Sequence, residues 1–167
     1  MKTAPLWLPS AQAANDTQMA RFMAEINSIS RFGCKTYADL HAFSIRETEA
    51  FWSKAWDFLD IIGERGTGAV FRPGARFQDA QFFDGARLNY AENLLRKGDD
   101  SPAILFWGEA VHRETLSWAG LQAAVSQAQQ AMRAMGIGEG DRVAALMPNM
   151  PQAIIAFLAA SSLGAVW

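Results

Sequence analysis

From Val143 to Trp167 no side chain is charged, and the run is broken by Pro148, Asn149 and Pro151. An apolar stretch of this length must go either into a protein core or into a bilayer, and that choice limits every fold open to the chain. Residues 142–147 have the length and composition of a buried strand. Pro148-Asn149 supplies a turn with a capping residue. Residues 152–163 read as a helix apolar almost all round, Gly164 stops it, and residues 165–167 begin a second strand. Strand–helix–strand is the unit of a parallel sheet with helices on its faces. The expectation is therefore an α/β protein whose sheet is being laid down as Trp167 is reached, so that this chain is the front portion of something larger. A membrane tail anchor is the competing reading. The two prolines, Asn149 and the Ser161-Ser162 pair argue against it, because they leave an uninterrupted run nearer a buried core helix in length.

Composition narrows the classes further. Half of the 167 residues are hydrophobic and 19% are charged, which is globular rather than disordered. Fifteen basic against seventeen acidic residues, without long runs, exclude the clustered basic surface that nucleic acid requires. The one cysteine, Cys34, has no partner for an internal disulfide and points to a reducing, cytoplasmic setting. It reads as a packing residue. Pro5 and Pro9 bracket only Leu6-Trp7-Leu8, too short for the apolar core of a signal peptide.

Ahead of the tail the pattern is helical. Residues 1–15 are mostly irregular. Asp16 is placed to cap a helix running to about Ser30, with Met19, Phe22, Met23, Ile26 and Ile29 on one face and Gly33 ending it. Thr36 with Asp39, then Ser44 with Glu47, are successive capping-box patterns that predict two more helices. The second carries Phe51, Trp52, Ala55, Trp56 and Leu59 down one side, a stripe that suits core packing better than a ligand box. Asn89 caps a short helix through Leu95. Residues 103–107 and 111–116 are β-rich runs around Gly108-Glu109-Ala110, a hairpin signature, and Ser117 caps an amphipathic helix over 118–135. Its stripe is Leu121, Ala124, Val125, Ala128, Met132 and Met135, and Gly136 sits where a left-handed cap belongs.

Chemistry is harder to find. Gly63, Gly66, Gly68 and Gly74, with Arg65 and Arg72, could cradle phosphate, but their spacing fits no phosphate-loop pattern and no capped helix follows. Gly136, Gly138 and Gly140 follow a helix and precede a strand, the reverse of a dinucleotide fingerprint, and read as a turn. His41 and His112 have no partner at ligand spacing. No nucleophile elbow or metal cluster is legible, and the scattered carboxylates sit mostly at helix starts. By residue chemistry alone the catalytic, cofactor-binding and metal site sets are empty.

Several segments nonetheless resemble one family. Pro5-Leu6-Trp7-Leu8-Pro9-Ser10 with Met19-Ala20-Arg21-Phe22-Met23 is similar to the start of the acetoacetyl-CoA synthetases, a branch of the acyl-adenylate-forming ligases. Tyr37-Ala38-Asp39-Leu40-His41, Phe43-Ser44-Ile45, Ala50-Phe51-Trp52 and Trp56-Asp57-Phe58 continue the likeness. The most distinctive segment is Gly85-Ala86-Arg87-Leu88-Asn89-Tyr90-Ala91-Glu92-Asn93-Leu94-Leu95. The tail from Asp141 through Met147-Pro148-Asn149 to Trp167 resembles the wider superfamily. Departures, such as Cys34-Lys35 and residues 78–81, are local.

The resemblance implies an α/β fold. A helical lead-in over 1–100 is followed, over 101–167, by the first strands and helices of an incomplete mixed or parallel sheet, the start of the adenylation domain. It implies a ligase that joins acetoacetate to CoA through an acyl-adenylate, using ATP and Mg²⁺, with AMP and pyrophosphate released. In the family the pyrophosphate loop and the CoA-contacting loop lie beyond the position equivalent to Trp167. No catalytic residue is therefore carried onto this chain, ATP, Mg²⁺ and CoA are not expected to bind it well, and its partner is the remainder of its own polypeptide. Three readings compete with acetoacetate ligation: a ligase for acetate or propionate, a truncated non-catalytic interaction module, and the membrane-anchored protein.

Overall fold

A computed structural model describes residues 6–109 and 113–167. Its backbone divides into two compact units. One comprises the residues up to Ile61 together with Arg65–Ala86; the other comprises Ile62–Glu64 and Arg87–Trp167.

The first unit is built from helices α1 (Ala11–Asn15), α2 (Gln18–Ile29), α3 (Tyr37–Arg46) and α4 (Thr48–Phe58). A two-residue antiparallel pair follows, β1 (Phe71–Arg72) with β2 (Gln81–Phe82), separated by a 3₁₀ turn at Phe77–Asp79. Phe22, Ile26, Cys34, Leu40, Phe43 and Ala55 form the core, with Met23, Phe32, Phe51 and Phe58 against them. Ile26 and Phe43 are fully sealed, and each such side chain contributes about 1.5–3 kcal/mol through removal from water. The rings meet edge-on or tilted, Phe22 on Phe51 at 5.5 Å and on Phe58 at 5.0 Å. Of the aromatic stripe expected to pack as core, only Ala55 is buried and Phe51 packs half-buried against that core, while Trp52 and Leu59 remain 41% and 51% exposed.

The second unit holds α5 (Tyr90–Leu94), the hairpin of β3 (Pro102–Trp107) and β4 (Arg113–Ser117), then α6 (Trp118–Ala134) and α7 (Pro151–Ser162). The strands pair antiparallel, Leu105 opposite Thr115, with an irregularity at 102–104. Leu121 and Val125 of α6 meet Leu158 and Ala159 of α7, and Ala91 closes the cluster. Three of the four wholly sealed residues among these and their neighbour Ala160 are alanines, so α7 lies close against its surroundings. The hairpin, the Ser117 cap (Gly120 N–H to Ser117 Oγ, 3.1 Å) and the left-handed Gly136 (φ 86°) all match the sequence reading. Residues 110–112 of the expected hairpin lie outside the described residues.

Several local expectations are corrected. Residues 142–147 do not form a buried strand. Among the described residues their backbone pairs only through a parallel bridge, Arg142 with Val166, in which Val143 N–H donates to Val166 O (2.8 Å). Leu146 is fully exposed. An apolar run becomes a strand only where neighbouring backbone satisfies its edges and another layer covers its face. Asn149 is not the cap of α7: the N-cap is Met150, with no side-chain bond, and Pro151 takes the first helical position, where a missing N–H costs nothing. Asp16 ends α1 instead of starting α2, whose cap is Thr17, and Ser10 caps α1 within the stretch expected to be irregular. The Ser44–Glu47 box does not form. Ser44 lies inside α3, where its hydroxyl donates to His41 O at 2.8 Å, whereas a capping residue needs extended backbone. Gly33 is left-handed, but α2 has already ended at Ile29. Met135 is 71% exposed because α6 stops one residue earlier. Among the described residues no helix is long and apolar enough to cross a membrane.

Candidate functional site

The glycine-rich run 63–74 is the first place to look for an anion site, and its geometry gives a different role. A Cβ at Gly66 would lie 2.6 Å from Asp84 O, one at Gly68 2.6 Å from Asp84 Cβ, and one at Gly74 2.4 Å from the Asp79 carbonyl carbon. These glycines are small because neighbouring chain lies directly against them. The arginines are engaged as well. Arg65 donates to Asp57 Oδ1 at 3.0 Å and to Ser53 O at 2.9 Å, and its guanidinium lies 5.6 Å from the Phe83 ring centre. Arg72 donates to Asp84 Oδ2 at 3.0 Å and to Gln81 Oε1 at 3.2 Å. Both cations neutralise carboxylates of their own unit, so the loop does not fit a triphosphate. Among the described residues no group of three His, Cys, Asp or Glu side chains is placed to hold a metal ion.

The remaining reactive side chains have structural explanations. Cys34 is buried, and burial, followed by the nearby Asp39 charge, pushes its thiol above the ordinary range, away from nucleophilic behaviour. The Asn27 side chain brackets its backbone, accepting from Cys34 N–H at 2.7 Å and donating to Cys34 O at 2.8 Å. Asp39 is held below the usual carboxylate range by the Lys35 N–H, then by the Thr36 hydroxyl and N–H, which is the capping box of α3. Asp79 is lowered by the Arg76 guanidinium and Asp99 chiefly by the Ser101 hydroxyl. His41 is exposed and stacked on Tyr37, ring centres 6.3 Å apart. His112 lies outside the described residues. Gly138 donates to Asp141 Oδ2 at 2.9 Å and Gly140 is left-handed, so 136–140 is the turn its order suggests.

One arrangement escaped residue-by-residue reading. In the second unit, Asn89 and Asn93 stand one helical turn apart and act as clamps. Asn89 Oδ1 accepts from Glu92 N–H at 3.2 Å, capping α5, while its Nδ2 donates to Ser161 O (3.1 Å) and Ser162 O (3.3 Å), the last carbonyls of α7. Asn93 donates to Ile62 O and accepts from Ile62 N–H, both at 2.8 Å. Beside the clamps, α5, α6 and the end of α7 enclose an open groove of about 540 Å³, lined among others by Glu92, Leu95, Gln122, Val125 and Gln129. Gln129 Nε2 donates to Ser162 Oγ at 2.8 Å, so the groove wall is tied by amides. The only sequence signal was the distinctiveness of 85–95 and the i, i+4 spacing of the two asparagines.

Comparison with known proteins matches residues 37–94 to the acetyl-coenzyme A synthetase N-terminus family and residues 91–167 to the AMP-binding enzyme family. Acetoacetyl-coenzyme A synthetase of Rhizobium meliloti is 47% identical over 98% of this chain, which covers 25% of that protein. Malonamoyl-CoA synthetase of Penicillium aethiopicum is 37% identical over 97% of the chain and 23% of its own length, and acetoacetyl-CoA synthetase of Rattus norvegicus is 35% identical over 100% and 25%. The solved structure of acetoacetyl-CoA synthetase from Streptomyces lividans superposes with a TM-score of 0.83 at 34% identity, over 99% of this chain and 26% of that one. The chain thus spans about a quarter of the length of the relatives it matches.

Proposed function

We propose that this chain belongs to the acetoacetyl-CoA synthetase-like branch of the AMP-binding acyl-CoA ligases and forms the amino-terminal region of an enzyme converting ATP, acetoacetate and CoA to acetoacetyl-CoA, AMP and pyrophosphate. The observation that carries the reading is the agreement over 99% of the chain with the Streptomyces lividans enzyme, in sequence and fold together. On this reading, residues 1–100 are the helical entry region, 101–167 open the adenylation domain, and the site of action is the cytoplasm. On the same reading, ATP, Mg²⁺ and CoA are held by the rest of the ligase. The contribution of this chain is positional: the α5–α6–α7 packing and the Asn89 clamp set where the chain leaves α7.

The decisive experiment replaces the matching quarter of the Rhizobium meliloti enzyme with this chain and measures acetoacetyl-CoA formation. Activity within about tenfold of the parent is expected, since 47% identity with the same fold preserves the scaffold. A folded chimera with no activity overturns the proposal. The 167-residue chain alone is expected to show no ATP–pyrophosphate exchange with acetoacetate, and exchange would place the chemistry within it. The malonamoyl-CoA synthetase likeness favours malonamate as a second acyl substrate, which the same exchange assay distinguishes when run on the whole ligase.

A further inference from the structure

We propose that Leu6-Trp7-Leu8 is a strap that closes over an apolar groove between α2 and α4 of the first unit, with the Trp7 indole as its occupant. The three side chains are 106%, 77% and 71% exposed, an arrangement that apolar groups hold only at the cost of ordering water around them. In the same unit, Met19 and Phe22 of α2 face Phe51, Trp52, Ala55 and Phe58 of α4 across a groove of about 300 Å³ with almost no polar lining. Met19 and Trp52 on its rim are 44% and 41% exposed. The groove is therefore a second unpartnered apolar surface, of a size that suits one large planar ring.

The tether selects this occupant. The groove reaches Gln18 and Met19, in the first turn of α2, and α1 with the two cap residues Asp16 and Thr17 separates that turn from Ser10. A five-residue helix is about 7.5 Å long. Trp7 stands three residues before Ser10, a reach of about 10 Å, so a strap folding back along α1 brings the indole to the groove mouth. Moving it is easy, because α1 buries no residue of its own. The closure entropy of so short a loop is small, which favours this segment over any untethered apolar group at ordinary concentrations.

The test is ¹⁹F NMR of the 167-residue chain labelled with 5-fluorotryptophan, the Trp7 line being assigned by its loss in Trp7→Phe. Solvent isotope shift on exchanging H₂O for D₂O reads exposure of that ring. A strap docked about ten to one leaves about a tenth of the free-indole shift. Met19→Glu, which puts a charge on the rim, is expected to restore the full shift. Leu59→Glu, at a second exposed rim position, gives the same reading should the first variant not fold. A fully solvent-shifted Trp7 in the unaltered chain overturns the proposal, and so does protection that survives both rim charges. Protection that disappears on dilution also overturns it, since the occupant would then come from a second copy.

Discussion

The two units solve the same burial problem with different materials. In the first, large rings do the filling: Phe22 and Phe43 sit among Ile26, Leu40 and the rings of Phe32, Phe51 and Phe58. In the second, alanines at 91, 159 and 160 let helices approach, and the larger residues between them are Leu121, Val125 and Leu158. The difference is in what a substitution can do. A ring-filled core loses most when a side chain is cut away, whereas an alanine-lined contact loses most when one is enlarged. The first unit is also assembled from helices close in sequence, while the second ties Asn89 to carbonyls some seventy residues on.

The sharpest test of that contrast is Phe43→Ala, expected to cost about 3–5 kcal/mol in urea unfolding followed on the first unit by hydrogen exchange. A loss below about 1 kcal/mol would mean that the ring cluster is loosely packed. Ala159→Leu is the complementary change, expected to cost about 1–3 kcal/mol with exchange loosened in α6 and α7. If it stabilises instead, the close helix contact is not what holds the second unit.

Smaller effects sharpen the comparison. Asn89→Ala removes a cap and strips two carbonyls at the end of α7, for about 1–2 kcal/mol, whereas Thr36→Ala in the first unit removes a cap alone, for about 1 kcal/mol. Asp39 adds a pH signature. Its folded carboxyl titrates below the unfolded value, so its stabilisation is present above the ordinary aspartate range and lost as pH falls through the lowered folded value. Asp39→Asn is expected to flatten that part of the stability–pH curve, and an unchanged acid limb would show that the box does not form in solution. Least of all, Leu146→Asp is expected to leave stability within about 0.5 kcal/mol, because the side chain is fully exposed.

Sequence reading succeeded where a few adjacent residues decide the outcome. Thr36 with Asp39, Asn89, Ser117 and Gly136 each satisfy backbone groups within four positions, and each lies where expected. It failed where the same local pattern had a competitor. Ser44 and Glu47 had the spacing of a box, but α3 ran on through Ser44 to Arg46. In the run 63–74, the reason for Gly66, Gly68 and Gly74, close contact with Asp84 and Asp79, was not legible in spacing.

The order and type of most elements were set by the sequence itself: periodic apolar faces, caps and turn residues act over one or two helical turns, and their physics needs no distant partner. Tertiary structure alone decided the rest. Whether residues 142–147 are buried depends on which backbone lies beside them, and here Val166 bridges to a single position. Whether Asn89 is a simple cap or a clamp depends on where the last turn of α7 arrives. Hydrogen bonds and burial between segments far apart in the chain exist only once the packing has brought them together, so no local pattern carries their signature.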